Sequence, residues 1–137
     1  MNKMKLNKFF ILFISIILLI TADHSHAQNY PNKPIKLVVP FPPGGPTDIV
    51  ARPLAQMMGD SMKQSVIVEN KGGAGGSVAA DMVAKSPPDG YTIMMGTVGT
   101  HAINGSLYRQ LPYDMTKDFT PIALVASAPV VIAVPTS

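Results

Sequence analysis

The sequence predicts an α/β fold built on an open, mostly parallel sheet, and two observations carry that prediction. Short apolar, β-branched runs alternate with segments whose apolar residues recur at helical spacing. Each run ends in a loop, most of them glycine-bearing, and the order strand, helix, strand, helix, strand is that of parallel strands joined by crossovers.

The first 27 residues stand apart from that pattern. MNKMKLNK carries Lys3, Lys5 and Lys8, residues 9–20 are apolar and uncharged, and Ser25-His26-Ala27 is a small-x-small site. This is the layout of a secretory signal peptide, with cleavage expected after Ala27. The apolar run is short for a membrane span, which needs about 20 residues, so no stable membrane insertion is expected after cleavage. An uncleaved N-terminal anchor is the alternative. The chain has no cysteine, which excludes a lipoprotein anchor, a disulfide and thiol catalysis.

The whole chain carries 11 Lys and Arg against 8 Asp and Glu, but residues 28–137 keep 8 basic and 7 acidic side chains. The basic excess therefore belongs largely to the leader, and no basic patch of the kind nucleic acid requires is left. Residues 28–137 suffice for one small domain.

Within that segment the elements follow in order. Ile35, Leu37, Val38 and Val39, bounded by Pro34 and Pro40, read as a buried strand. PFPPGGPTD (40–48) is a turn that combines fixed and permissive backbone. Thr47 or Asp48 is the expected N-cap of a helix with an apolar stripe at Ile49, Val50, Leu54, Met57 and Met58, ending near Gly59. Pro53 predicts a kink or a later helix start. SVIVEN (65–70) reads as a second strand, KGGAGGS (71–77) as a glycine loop, and 77–86 as a helix capped by Ser77. A turn at Asp89-Gly90 leads into a third strand, 91–96, and 97–108 is a loop entering a short helix or 3₁₀ turn. Residues 111–121 form a polar connection, and 122–128 and 130–134, split by Pro129, read as strands.

In a parallel sheet the loops that follow the strands gather at one edge, where ligands usually bind. The loops 40–48, 71–77 and 96–101 qualify, and all are nearly uncharged. The first can present the N–H groups of Gly44, Gly45, Thr47 and Asp48 to a small anion at a helix N-terminus; a capped tight turn without a ligand explains the same residues. KGGAGGSV lacks the third glycine and the downstream acid of a dinucleotide fingerprint, and no Walker lysine follows any loop, so no nucleotide cofactor is expected. A turn that lets a helix pack close to the sheet explains its glycines. In TVGTH, the hydroxyls of Thr97 and Thr100 suit a carboxylate, whereas His101 has no histidine or acid–serine partner that would make a metal site or a triad. Asp48 reads as a helix cap before a base or an amine ligand.

Four stretches, PNKPIKLVVPFPPGGPTDIVARPLAQ, VIVENKGGAGGSVAADMVAKSPPDGYTI, GTVGTHAINGSLY and LPYDMTKDFTPIALVA, occur in family order and spacing, and the chain from Tyr30 onward resembles the Bug receptors of tripartite tricarboxylate transporters. The resemblance implies part of the first lobe of a two-lobe, type II periplasmic solute-binding protein. It implies a small carboxylate ligand, no cofactor, no enzymatic activity, and membrane transporter subunits as partners. It also implies that the ligand carboxylate sits between a first loop, carried over as Phe41 to Asp48, and a second, Thr97 to His101, which adds Gly99. Neutral donors suffice for this, because hydrogen bonds to an ionised acceptor are strong. Receptors of this family are more than twice as long, so the sequence is expected to end within lobe one, with last strands that lack cover and poor folding of the isolated segment. A secreted fragment without its own function, or a small α/β enzyme acting on an anionic substrate, are the competing readings.

Overall fold

The computed structural model describes residues 30–128, together with 132, 133 and 135. The predicted signal peptide and most of 130–134 lie outside the described residues. Three parallel strands form the sheet: β1 (Ile35–Val39), β2 (Val66–Asn70) and β3 (Thr92–Met94), in the order β2-β1-β3. Between them run α1 (Pro46–Met62) and α2 (Ser77–Ala84), and a π-type turn (Gly99–Ile103) continues into α3 (Asn104–Leu107).

The most apolar run becomes the central strand. Ile35, Leu37, Val38 and Val39 are each no more than 2% exposed, because β1 has a neighbour on both sides and a helix over each face. The chain leaves β1 for β2 on one side and then crosses to β3 on the other. Right-handed crossovers in opposite directions place α1 and α2 on opposite faces. Leu37 and Val39 pack with Ala51, Ala55 and Met95, and Leu54, Val66, Val68 and Ile93 close the edge of that core. On the other side Ala79 and Ala80 of α2 are fully buried.

The structure corrects the expected caps and stripe of α1. Gly45 is the N-cap and Pro46 the first helical residue, so Thr47 and Asp48 lie inside the first turn. The helix passes Gly59 and ends at Met62, where Lys63 adopts the left-handed conformation (φ 55°). Gly59 serves close approach instead: a Cβ there would lie 3.1 Å from the Gln64 carbonyl oxygen. The buried face is Asp48, Ala51 and Ala55, whereas Ile49 and Met57 are 64% and 70% exposed. Alanines let the helix axis approach the sheet, so Leu54 packs at the edge of the core while Ile49, Val50 and Met57 turn outward. Pro53 lies within the continuous helix. Pro53 lacks the N–H that would bond the Ile49 carbonyl, and both residues lie on the exposed side of the helix. Likewise Gly76, not Ser77, is the N-cap of α2.

The strand expected over 122–128 is not formed: these residues have no regular secondary structure and are exposed, Ile122 and Leu124 by 80% and 86%. A strand needs a ladder partner, and among the described residues none pairs with this segment. Among the described residues, no helix is long and apolar enough to cross a membrane.

Candidate functional site

The order β2-β1-β3 opens the doubly wound arrangement in which ligands sit in the crevice beyond the carboxyl ends of β1 and β3. The loops after those two strands are 40–45 and 95–98, which brings the two sequence-predicted ligand loops to the same edge.

The first loop is shaped from within. Gly44 has φ +81°, a conformation that favours glycine. Its N–H donates to Asp48 Oδ2 at 2.8 Å, and Arg52 Nε donates to the same oxygen at 2.8 Å. Asn70, the last residue of β2, donates through Nδ2 to Asp48 Oδ1 at 2.9 Å and to the Phe41 carbonyl at 3.0 Å. Its own Oδ1 accepts from the Arg52 guanidinium at 3.1 Å. Asp48 is 3% exposed, and the Arg52 guanidinium, the Gly44 N–H and the Asn70 amide hold its carboxyl at about 2. It is an ionised carboxylate turned into its own loop, neither a free base nor an N-cap.

The N–H of Gly44 is thus taken by Asp48. In contrast, Gly45, Thr47 and Asp48 occupy positions whose N–H groups have no partner inside a helix. The first intrahelical bond is Ile49 N–H to the Gly45 carbonyl, at 3.0 Å. Residues 41–47 line a shallow depression of about 600 Å³ above this terminus. Gly45 has φ −76°, and a Cβ there would meet only the Pro42 carbonyl oxygen, at 3.5 Å.

The second loop is knotted around Thr100, which is fully buried. Thr100 Oγ1 accepts from the Thr97 N–H at 2.9 Å and lies 3.1 Å from the Thr97 carbonyl and 2.8 Å from His101 Nδ1. Thr97 Oγ1 is 3.4 Å from Thr100 Oγ1. The Thr100 hydroxyl therefore closes the loop, and Thr97 carries the outer hydroxyl. His101 packs edge-on against Phe119, centroids 4.6 Å apart, and burial lowers its pKa, which favours the neutral ring. Gly99, like Gly45, is not in the left-handed region, and a Cβ there would meet only Thr97 Oγ1 at 3.5 Å.

Sequence reasoning missed the supports. Tyr113, 6% exposed, donates its hydroxyl to the Thr100 carbonyl at 2.7 Å, so the polar connection 111–121 is a brace under the second loop. Asn104 Nδ2 donates to the Gly75 carbonyl and to Ser77 Oγ, both at 3.0 Å. The one available signal for Asn70 and Asn104 was position: amide side chains next to glycine loops at the ligand edge. Among the described residues, no cluster of three His, Asp or Glu side chains could hold a metal.

Residues 50–137 match the family described as tripartite tricarboxylate transporter family receptor. The chain is 43% identical to BugT of Bordetella pertussis over 107 residues, 77% of this chain and 33% of that protein. MatC of Rhodopseudomonas palustris, solved with bound malate, superposes with a TM-score of 0.68 at 45% identity over 70% of this chain and 33% of that one. A second R. palustris structure, with adipate, gives 0.66 at 46% identity over 67% of this chain and 31% of that one. The chain spans about a third of the length of the relatives it matches. From the matched residues and the shared fold, the chain belongs to the tripartite tricarboxylate transporter receptor family, a family of solute-binding receptors and not of enzymes.

Proposed function

We propose that this chain supplies the carboxylate-binding loops of an extracytoplasmic receptor that delivers a small carboxylate to membrane transporter subunits. The observation that carries the reading is a pair of glycines, one on each loop, that the fold does not require. Gly45 and Gly99 have neither a left-handed φ nor a crowded Cβ position. Glycine there leaves peptide groups bare, as the close approach of a ligand needs. The carboxylate lies against the N–H groups of Gly45, Thr47 and Asp48 at the positive end of α1, in the depression framed by Phe41 and Gly44. The Thr97 hydroxyl and the Gly99 peptide face it from the second loop, and Thr100 and His101 hold that loop in shape. Malate and adipate in the two related structures are small dicarboxylates, which supports this ligand class. The protein works in the periplasm, after cleavage following Ala27.

Calorimetric titration of the wild-type chain and Gly45→Val with malate and adipate tests the reading. A valine at an N-cap costs about 1 kcal/mol of stability, so the variant stays folded by circular dichroism while binding is lost. Unchanged affinity in a folded Gly45→Val protein would remove the first loop from the site.

A further inference from the structure

The KGGAGGS loop is not one of the two proposed ligand loops, yet the structure ties it to both of them. Asn70, at its entrance, pairs in register with Val39, the last residue of β1, and the Lys71 N–H donates to the Val39 carbonyl at 2.8 Å. This ladder fixes the Asn70 amide beside the first loop, where its side chain engages Phe41, Asp48 and Arg52. A Cβ on Gly72 would touch Pro42 Cδ at 3.4 Å, so the loop also lies against the proline turn. Gly76 is wedged between the two sites. It has φ +88°, and a Cβ there would fall 2.6 Å from Thr100 Cγ2 and 3.0 Å from Pro40 Cβ. Asn104 then fastens the exit through Gly75 and Ser77.

We propose that segment 70–77 is a spacer that sets the gap between the two ligand loops, with Asn70 as the positioning residue for the first loop and Gly76 as the contact that fixes its distance from the second. Close helix–sheet packing alone does not account for these contacts: Phe41 and Pro42 lie on the first ligand loop and Thr100 on the second, outside any helix–sheet interface. The proposal rests on the receptor reading for its consequence, since in that reading both loops must reach the same carboxylate.

Asn70→Ala tests it in protein purified from the periplasm after expression of the full chain. Amide exchange at Gly44 should become on the order of tenfold faster, the expected loss of a hydrogen bond to a charged group, while Leu37 and Val38 in β1 stay protected. Malate and adipate present the same carboxylate group to the two loops, so the affinity for each should fall by several-fold. A purely structural loss would also speed exchange at Leu37 and Val38, and that outcome, unchanged exchange at Gly44, or unchanged affinity for both ligands would overturn the proposal. If the wild-type chain binds neither ligand, the receptor reading fails, and exchange at Gly44 by itself decides whether Asn70 positions the loop.

Discussion

Asp48 Oδ2 lies 2.8 Å from the amide nitrogen of Gly44, so the first turn of α1 is tied to the loop that enters it. The carboxylate bonds the residue before the N-cap and leaves the helix-terminal N–H groups open, and Arg52, one turn further along α1, balances its charge.

Removing that charge should loosen the loop and leave the sheet intact. In Asp48→Asn the Gly44 N–H keeps at best a neutral acceptor, a weaker one than a carboxylate. The melting temperature falls and Gly44 exchanges faster, while β1 amides keep their protection by exchange spectroscopy.

The same network has a defined acid limit. The Asp48 pKa is depressed to about 2 in the fold, against about 3.9 for a free aspartate. A depressed carboxyl contributes stability above the unfolded value and loses it as pH falls towards the folded one. The Asp48 carboxyl ¹³C resonance should show no titration above pH 4 and should move only as pH falls towards 2.

His101 works in a different window. Burial lowers its pKa, so the fold favours the neutral ring. Below about 6.5 the unfolded chain takes up a proton that the folded chain does not, and stability declines as pH falls through that value until the folded ring titrates. Melts between pH 7.5 and 5 should show this decline in the wild type and a smaller one in His101→Gln.

Two alanine substitutions should separate fold from ligand approach. Gly76→Ala meets a left-handed φ and a side chain 2.6 Å away, and should cost about 1–3 kcal/mol or more by denaturant melts. Gly45→Ala meets neither, and should cost about 1 kcal/mol at most.

Exposed apolar residues after Pro121 predict a local liability. Ile122→Ser with Leu124→Ser should lower the binding of a hydrophobic dye and shift stability by no more than about 0.5 kcal/mol per site.

The strands, the two helices and the gathering of the 40–48 and 97–101 loops at one edge of the sheet were legible because apolar runs and glycine loops report the sheet directly. The stripe of α1 was legible only at Leu54, which does pack against the core. Ile49, Val50 and Met57 recur at helical spacing as convincingly as Ala51 and Ala55, and only the close approach of helix to sheet chooses the alanines. The N-cap was misplaced because Thr47 and Asp48 are good caps, whereas Pro46 starts the helix two residues earlier than a Thr47 cap would. The tail from 122 to 128 has strand composition, but a strand exists only beside another strand. At the ligand edge, Gly44 and Asp48 carried a local pattern. Asn70, Asn104 and Tyr113 did not, since each acts across 13 residues or more of chain.

The pairing of Asp48 with Arg52 bears on how fast an anion could reach this edge. The two charges cancel within one turn, and no lysine or arginine lies in 40–48 or 97–101. From these two loops, an anion approaching the N-terminus of α1 would feel the short-range field of peptide dipoles. Its association rate would then hold nearly constant as ionic strength rises, unlike that of a ligand drawn in by a basic cleft.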